Sequence, residues 1–271
     1  MQGRLSPPVD GRIQAFPRDR WREEFILADE VDLRIMEWTL DHDRLLENPL
    51  MTVAGRQEIR QLSERHQVTI PSLTGDCFMQ APFWKARGEE RVRREDDLLA
   101  VMESCSQARV ALVVIPLVDN GRIEDRGQEN DLVDSFSRHL GALVDLSVRI
   151  AIESDFPPKE LQRLIERFDP AVVGINYDIG NSAALGYRAD EELETYGDRI
   201  FNVHVKDRHF GGTTVELGQG SANFDLVFQS LAGVSYRGNY ILQTARSASG
   251  NHGAALNRYR EMVEEWIALN A

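Results

Sequence analysis

Four apolar segments of the chain each end in a side chain that can bind a metal ion. Glu153 closes VRIAIE, Asp178 closes VVGINYD, and His204 and Gln243 lie near the ends of IFNVHVK and YILQT. Each position follows the previous one by about one strand–helix unit, and the longest interval contains a Gly-rich stretch. Because side chains alternate between the two faces of a strand, we expect the four to point towards one axis.

Oxygen and nitrogen donors without a thiolate suit one divalent ion such as Mn, Mg, Co or Zn. Such an ion would polarise a carbonyl and acidify the neighbouring C–H or O–H, with Glu153 as both ligand and candidate base. Taken singly, a strand-end carboxylate more often caps a helix or forms a salt bridge, and His204 or Gln243 could simply be a buried packing residue. Their joint occurrence on successive segments favours the metal interpretation.

Three other polar residues near segment ends are candidates for substrate binding. Glu37 closes LRIME and could bind a substrate hydroxyl, although a salt bridge explains it equally well. Lys206 and Arg246 are basic groups that could hold a phosphate, and Lys206 could instead pair with Asp207. Together with Arg246, the Gly-rich stretch at 211–220 is expected to form the rim of the site, where barrel enzymes often bind phosphate.

These residues belong to a repeating pattern of short β-rich segments and longer segments whose apolar residues recur at helical spacing. That alternation is typical of βα units around a parallel sheet. Apolar stripes, such as the one ending at Met262 and Trp266, are interpreted as helix faces buried in a core. The predicted strands are 33–37, 68–73, 110–117, 148–153, 172–178, 200–206 and 239–244.

A barrel requires an eighth strand, and only the first residues, MQGRL, are left to supply it. An open sheet of seven strands would leave long unpaired edges, which proteins usually avoid. We therefore predict an α/β fold, a (β/α)8 TIM barrel forming a single domain over 1–271, with a short or truncated first strand. Its site should lie at the C-terminal ends of the strands. The shortness of MQGRL also suggests that the natural chain is longer.

Composition limits the classes of partner. The 271 residues include 42% hydrophobic and 28% charged residues, which is ordinary for a globular protein. A formal charge of −13 argues against nucleic acid, which needs a positive surface. The apolar stretch at 110–118 is too short to cross a membrane. Two cysteines, Cys77 and Cys105, do not form a disulfide framework, and a cytoplasmic location is the simplest expectation.

The chain resembles the xylose-isomerase-like TIM barrels, which include sugar and sugar-phosphate isomerases and epimerases and inosose dehydratase. The resemblance rests on MQGRLSPP, IAIES, NYDIGN, FNVHVKDR, LGQGSANF and YILQTAR. It implies metal ligation by Glu153, Asp178 and His204, and places Asn181 among the substrate-binding candidates. The family's fourth ligand is a glutamate, whereas this chain has Gln243, and an amide cannot exchange protons as a carboxylate does.

Three functions follow as alternatives. The first is a divalent-metal-dependent isomerase or epimerase of a small sugar or sugar phosphate, with Glu153 transferring the proton. The second is a metal-dependent dehydratase of an inosose-type polyol. The third is a barrel that binds a sugar without turnover, which the loss of the second glutamate would explain. Barrels of this group often associate, so a homo-oligomer is also expected. The related abasic-site endonucleases use a histidine where this chain has Asn181, and the acidity again argues against DNA.

Overall fold

Seven parallel strands form the central sheet of the protein. The computed structural model describes residues 1–2, 5–9, 11–12 and 14–270. In spatial order, which is also chain order, the strands are β1 (Ile35–Thr39), β2 (Thr69–Thr74), β3 (Leu112–Leu117), β4 (Arg149–Ser154), β5 (Val173–Asp178), β6 (Ile200–Val205) and β9 (Asn239–Leu242). The α/β barrel predicted from the alternation is confirmed, and each of these strands overlaps a predicted segment.

The N-terminal residues occupy the gap between the first and last strands of this sheet. The Met1 carbonyl accepts a hydrogen bond from Glu37 N at 2.8 Å, and the Met1 amino group donates to the Ile35 carbonyl at 2.8 Å. On the other side, Gln2 N donates to the Leu242 carbonyl at 3.1 Å. Met1 and Gln2 therefore bridge β1 and β9, in the place predicted for the short first strand. Residues 3 and 4 of that segment lie outside the described residues.

Ten helices in the described part of the chain accompany the strands. Met262 and Trp266 of the stripe named above are half-buried and pack against the core, and another stripe, of Leu98, Val101, Met102 and Cys105, is fully buried. No helix in that part is long and apolar enough to cross a membrane. The helices are α1 (Trp21–Glu30), α2 (Val53–His66), α3 (Asp76–Gln80), α4 (Gly88–Ala108), α5 (Arg126–Leu146), α6 (Pro158–Ile165), α7 (Ile179–Leu185), α8 (Ala189–Tyr196), α9 (Phe224–Gly233) and α10 (His252–Leu269).

Strand β1 begins two residues later than predicted, and this shift changes the position of Glu37. Leu33 N donates to the Ala28 carbonyl at 2.9 Å, so Leu33 belongs to the turn that follows α1. The strand continues through Trp38, which packs its ring against Phe16 and Trp21. Glu37 is therefore in the middle of β1 and not at its end.

The Gly-rich stretch folds around one buried carboxylate. It includes the turn and the second strand of a two-stranded antiparallel ribbon, formed by β7 (Asp207–Arg208) and β8 (Thr214–Val215). Asp207 accepts hydrogen bonds from Gly218 N at 2.9 Å, Gly220 N at 2.8 Å and Ala222 N at 3.1 Å. A Cβ at Gly220 would lie 2.1 Å from Asp207 Oδ1, so that position needs glycine. The glycines therefore allow the backbone to approach Asp207.

A second buried carboxylate fixes the segment after the N-terminal residues. Glu24 of α1 accepts hydrogen bonds from Leu5 N at 3.0 Å and Ser6 N at 2.7 Å, and the Ser6 hydroxyl also donates to it. Glu24 is 1% exposed. Backbone N–H groups removed from water need such a partner, so this carboxylate holds the segment against the barrel.

We expect Glu24→Ala to lower the free energy of unfolding by about 2 to 4 kcal/mol, because it leaves buried donors without an acceptor. Glu23→Ala is the matched control on the same helical turn. Glu23 is exposed and pairs with Arg20 at 3.6 Å, so its loss should cost about 0.5 kcal/mol or less. Urea denaturation of the two variants tests this, and equal losses would contradict the role given to Glu24.

Candidate active site

Glu153, Asp178 and His204 converge at the C-terminal ends of β4, β5 and β6. Each offers one ligand atom, and these atoms all lie within 4.8 Å of one another. His204 Nδ1 is 3.2 Å from Glu153 Oε2 and 3.8 Å from Asp178 Oδ2. The register of the sheet brings two of these side chains together, since Asp178 and His204 are paired residues on adjacent parallel strands. All three side chains are buried.

The imidazole of His204 is oriented by contacts on both ring nitrogens. Nε2 lies 2.7 Å from Glu37 Oε1, and Nδ1 lies 3.1 Å from Asn176 Nδ2. The Asn176 amide is fixed in turn, since its Oδ1 accepts from Asn202 Nδ2 at 2.9 Å. An amide nitrogen only donates, so Nδ1 accepts and Nε2–H donates to Glu37. The Nδ1 lone pair therefore faces the two carboxylates, as in a metal-ligating histidine.

This arrangement calls for a cation between the ring and the carboxylates. Burial by itself would lower the pKa of His204, but Glu37, Asp178 and Glu153 raise it well above its ordinary value. A proton and a divalent ion would therefore compete for the same lone pair. Asp178 Oδ2 accepts no well-directed hydrogen bond from the described residues, and the cation in contact with it is the Lys206 ammonium at 2.7 Å. One nitrogen and two carboxylate donors in a buried cluster fit a divalent ion.

Glu37 lies behind His204 and does not line the cavity described below. It accepts from Ser72 Oγ at 2.7 Å, Thr74 Oγ1 at 2.6 Å and Asn202 Nδ2 at 3.1 Å. Burial would raise the pKa of this carboxyl, but His204, Thr74 and Ser72 hold it below its usual value. The structure thus shows a hydrogen bond between Glu37 and His204, which is a salt bridge only when the ring is protonated. A contact between Glu37 and a substrate hydroxyl stays an untested prediction.

Glu153 and Asp178 are each held by neighbouring groups. Asn176 Nδ2 donates to Glu153 Oε2 at 2.7 Å, and Asn181 Nδ2 donates to Glu153 Oε1 at 2.8 Å. Asp178 Oδ1 accepts from Asn181 N at 2.8 Å and caps α7, which leaves Oδ2 facing the cluster. The capping role and a ligand role are therefore compatible in one carboxylate.

Lys206 and Gln243 meet beside the triad. Lys206 Nζ lies 2.7 Å from Asp178 Oδ2 and 2.6 Å from Gln243 Oε1, so one ammonium bridges the two oxygens. Burial would raise the pKa of Asp178, but Lys206 and His204 hold it well below its usual value. The sequence also allowed an ion pair between Lys206 and Asp207. In the structure Asp207 instead accepts hydrogen bonds from the Gly-rich loop, and Lys206 pairs with Asp178. The oxygen of Gln243 is thus presented to the same cluster.

A cavity of about 330 Å³ opens above the triad. Lys206, Gln243 and Asn181 line it, whereas Arg246 does not: its guanidinium donates to the Ser6 carbonyl at 2.6 Å. Binding of substrate by Arg246 stays a prediction. In the Gly-rich loop, Gly211 and Thr214 form part of the cavity wall. Other lining residues include Gln14, Thr74, Asp76, Asp119, Arg122, Glu153, Asp155 and Arg208.

Two cavity arginines were not singled out from the sequence. Arg122 lies next to a turn of 3-10 helix (Asp119–Gly121) after β3, and no local pattern marks it. Arg208 does carry a signal, because it lies two residues after Lys206 in FNVHVKDR and alternation places both on one face. Both basic residues of that motif, Lys206 and Arg208, therefore line the cavity, and only Lys206 was assigned from the sequence.

Sequence comparison identifies relatives of this chain among known proteins. The chain is 24% identical over 250 residues to a Haemophilus influenzae protein provisionally named as an L-ribulose-5-phosphate 3-epimerase, covering 85% of this chain and 86% of that protein. It is 30% identical over 127 residues to inosose dehydratase of Geobacillus kaustophilus, and that match spans only 40% of each protein.

Structural comparison gives the same architecture. The crystal structure of the IOLI protein with a bound zinc atom superposes with a TM-score of 0.71 at 17% identity, covering 91% of this chain and 92% of that one. At that identity the likeness establishes the fold. The family model described as xylose isomerase-like TIM barrel matches residues 25–267. With the strand order and the strand-end triad in place, the chain belongs to the xylose-isomerase-like TIM barrel family.

Proposed function

We propose that this protein is a divalent-metal-dependent isomerase or epimerase of a small sugar or sugar phosphate, with Glu153 as the proton-transferring group. The observation that supports it most is the convergence of Glu153, Asp178 and the Nδ1 lone pair of His204 below a polar cavity. The relatives add support, since one is provisionally named as a sugar-phosphate epimerase and another fold neighbour contains zinc.

Glu153, Asp178 and His204 would hold the ion, with the neutral oxygen of Gln243 as a fourth ligand. Mn, Mg, Co and Zn all suit this donor set. When bound, a divalent ion supplies Lewis acidity that polarises a substrate carbonyl and acidifies the adjacent C–H. Lys206 must then leave the position between Asp178 and Gln243 or share it, because its ammonium contacts both oxygens.

The contacts of Glu153 support its role as the group that transfers the proton. It lies on the cavity wall, and Asn176 and Asn181 fix its two oxygens. A carboxylate held in this way can take the proton from the hydroxyl-bearing carbon next to a carbonyl and return it to the carbonyl carbon. When the proton of that hydroxyl also moves to the carbonyl oxygen, the result is an aldose–ketose isomerisation. Gln243 cannot accept or donate that proton. The site therefore favours transfer by one carboxylate over exchange between two.

Dehydration of a cyclic polyol is the second candidate. The similarity to inosose dehydratase and the neutral Gln243 favour it. Glu153 would again remove the proton next to the carbonyl, and the hydroxyl on the following carbon would leave. Loss of water gives an enone that absorbs in the ultraviolet, so the two reactions are distinguishable on the same samples.

We expect deuterium to enter a carbon position of at least one sugar when the metal-loaded protein is incubated in deuterated water with a panel of ketoses, ketose phosphates and an inosose. Mass spectrometry or NMR detects the exchange. Glu153→Gln should abolish it, because an amide cannot carry the proton. Absence of exchange and of enone absorbance across the panel, together with tight sugar binding, would instead indicate a barrel that binds without turnover.

We expect Glu37→Gln to weaken divalent-ion binding by roughly 10- to 100-fold, because partners of ligating histidines set ring orientation and basicity. Chelator competition measures the affinity. Glu192→Gln is the matched control: Glu192 is another buried carboxylate, held by Tyr177, Ser182 and Tyr196, and it has no contact with His204. Similar losses of affinity in the two variants would show that Glu37 acts only through general stability.

We expect Gln243→Glu to tighten divalent-ion binding on the order of tenfold, because ligand charge tunes metal affinity over decades. A third carboxylate should also make the ion less polarising, slowing a one-base reaction while restoring a second base for epimerisation. Gln61→Glu adds the same charge on the exposed face of α2 and serves as control. Unchanged metal affinity and unchanged turnover in Gln243→Glu would place Gln243 outside the ligand set.

A further inference from the structure

Arg208 lines the cavity with a positive charge that only neutral groups contact. Its Nε and Nη2 donate to the Gly212 carbonyl at 3.1 and 2.7 Å, and its Nη1 donates to Asn181 Oδ1 at 2.8 Å. Among the residues that the structure describes, no carboxylate forms an ion pair with it. The guanidinium is thus held in place without being neutralised.

The other cations of the cavity are neutralised. Arg122 Nη2 lies 2.5 Å from Asp155 Oδ2, and Lys206 Nζ lies 2.7 Å from Asp178 Oδ2. The chain has 44 acidic residues against 31 basic ones, so acidic partners are abundant in general. An arginine that has none, at the wall of the candidate active site, is therefore available to an anion from outside.

The hydrogen-bonding capacity of Arg208 supports the same conclusion. A guanidinium has five N–H donors, and the three described bonds use one on Nε, one on Nη1 and one on Nη2. One donor remains on each terminal nitrogen. Two such donors can bind two oxygens of a carboxylate or a phosphate, the groups that arginine recognises best.

The guanidinium of Arg208 lies close to the proposed base, Glu153. The Asn181 side chain bridges the two groups, since its Nδ2 donates to Glu153 Oε1 at 2.8 Å while its Oδ1 accepts from Arg208. The guanidinium is thus separated from the proposed base by a single amide. An anionic group bound there would place a nearby carbon of the same molecule beside Glu153.

We propose that the substrate is an acidic sugar, carrying a carboxylate or a phosphate ester, and that Arg208 is the residue that selects it. This inference rests on the proposed function for the identity of the cavity as a substrate site. Arg208 acts in binding and orientation, and the proton transfer remains with Glu153.

Binding of four probes to the metal-loaded protein tests the proposal without requiring turnover. The probes are D-fructose, D-fructose 1-phosphate, D-fructose 6-phosphate and 2-keto-D-gluconate, measured by calorimetry on the wild type and on Arg208→Gln, Arg208→Lys and Arg122→Gln. We expect at least one anionic probe to bind roughly tenfold or more tightly than D-fructose, as a charge-assisted pair would give. The anion that shows the preference distinguishes a carboxylate from a phosphate.

Arg208→Gln should remove that preference while leaving the affinity for D-fructose within about threefold, and Arg208→Lys should keep part of it. Arg122→Gln, which loses an arginine that is already paired, should keep the preference. The proposal would be overturned if the wild type showed no preference for an anionic probe. It would also be overturned if the preference survived in Arg208→Gln because the anion contacts the metal directly. Equal thermal unfolding midpoints exclude a folding defect.

Failure of the proposed function gives a different result. If Arg208 selects an acidic ligand but no deuterium enters any probe, the anion site stands and the isomerase proposal falls. If deuterium enters D-fructose as fast as the acidic sugars, isomerisation stands and the role of Arg208 falls.

Discussion

The contact between His204 Nε2 and Glu37 Oε1 joins β6 to β1 across the barrel interior, and the geometry of the candidate metal centre depends on it. Because Nε2 donates to Glu37, Nδ1 turns its lone pair towards Glu153 and Asp178. Ser72 and Thr74 of β2 donate to the same carboxylate and fix its position. A buried carboxylate with four partners costs little to keep charged, which makes it a rigid support for the ring.

Charge balance is the second constraint on this interior. Glu37, Glu153 and Asp178 bring three negative charges into a buried volume, and Lys206 brings one positive charge in contact with Asp178. A divalent ion would balance the remaining two negative charges, because His204 and Gln243 are then uncharged. A glutamate at position 243 would add a fourth negative charge. The neutral glutamine is therefore consistent with a site in which Lys206 already occupies one edge.

The Gly-rich loop connects these buried charges to the cavity wall. Asp207 binds three backbone N–H groups of the loop, so it is unavailable to Lys206, whose ammonium turns inwards to Asp178. The same turn presents the Gly212 carbonyl to Arg208, whose guanidinium also donates to Asn181. Three consecutive residues, Lys206, Asp207 and Arg208, thus have separate roles set by the local fold.

The sequence by itself determined the barrel, the strand-end triad and the short closing segment, because period, strand-end polarity and chain order are local properties. It left open the partner of Glu37, the exact start of β1 and the direction in which Lys206, Arg246 and Arg208 point. Those depend on contacts between residues far apart in the chain, such as Glu37 with His204 and Arg246 with Ser6. Only closure of the barrel brings such residues together, so the tertiary structure decided which basic residues face the cavity.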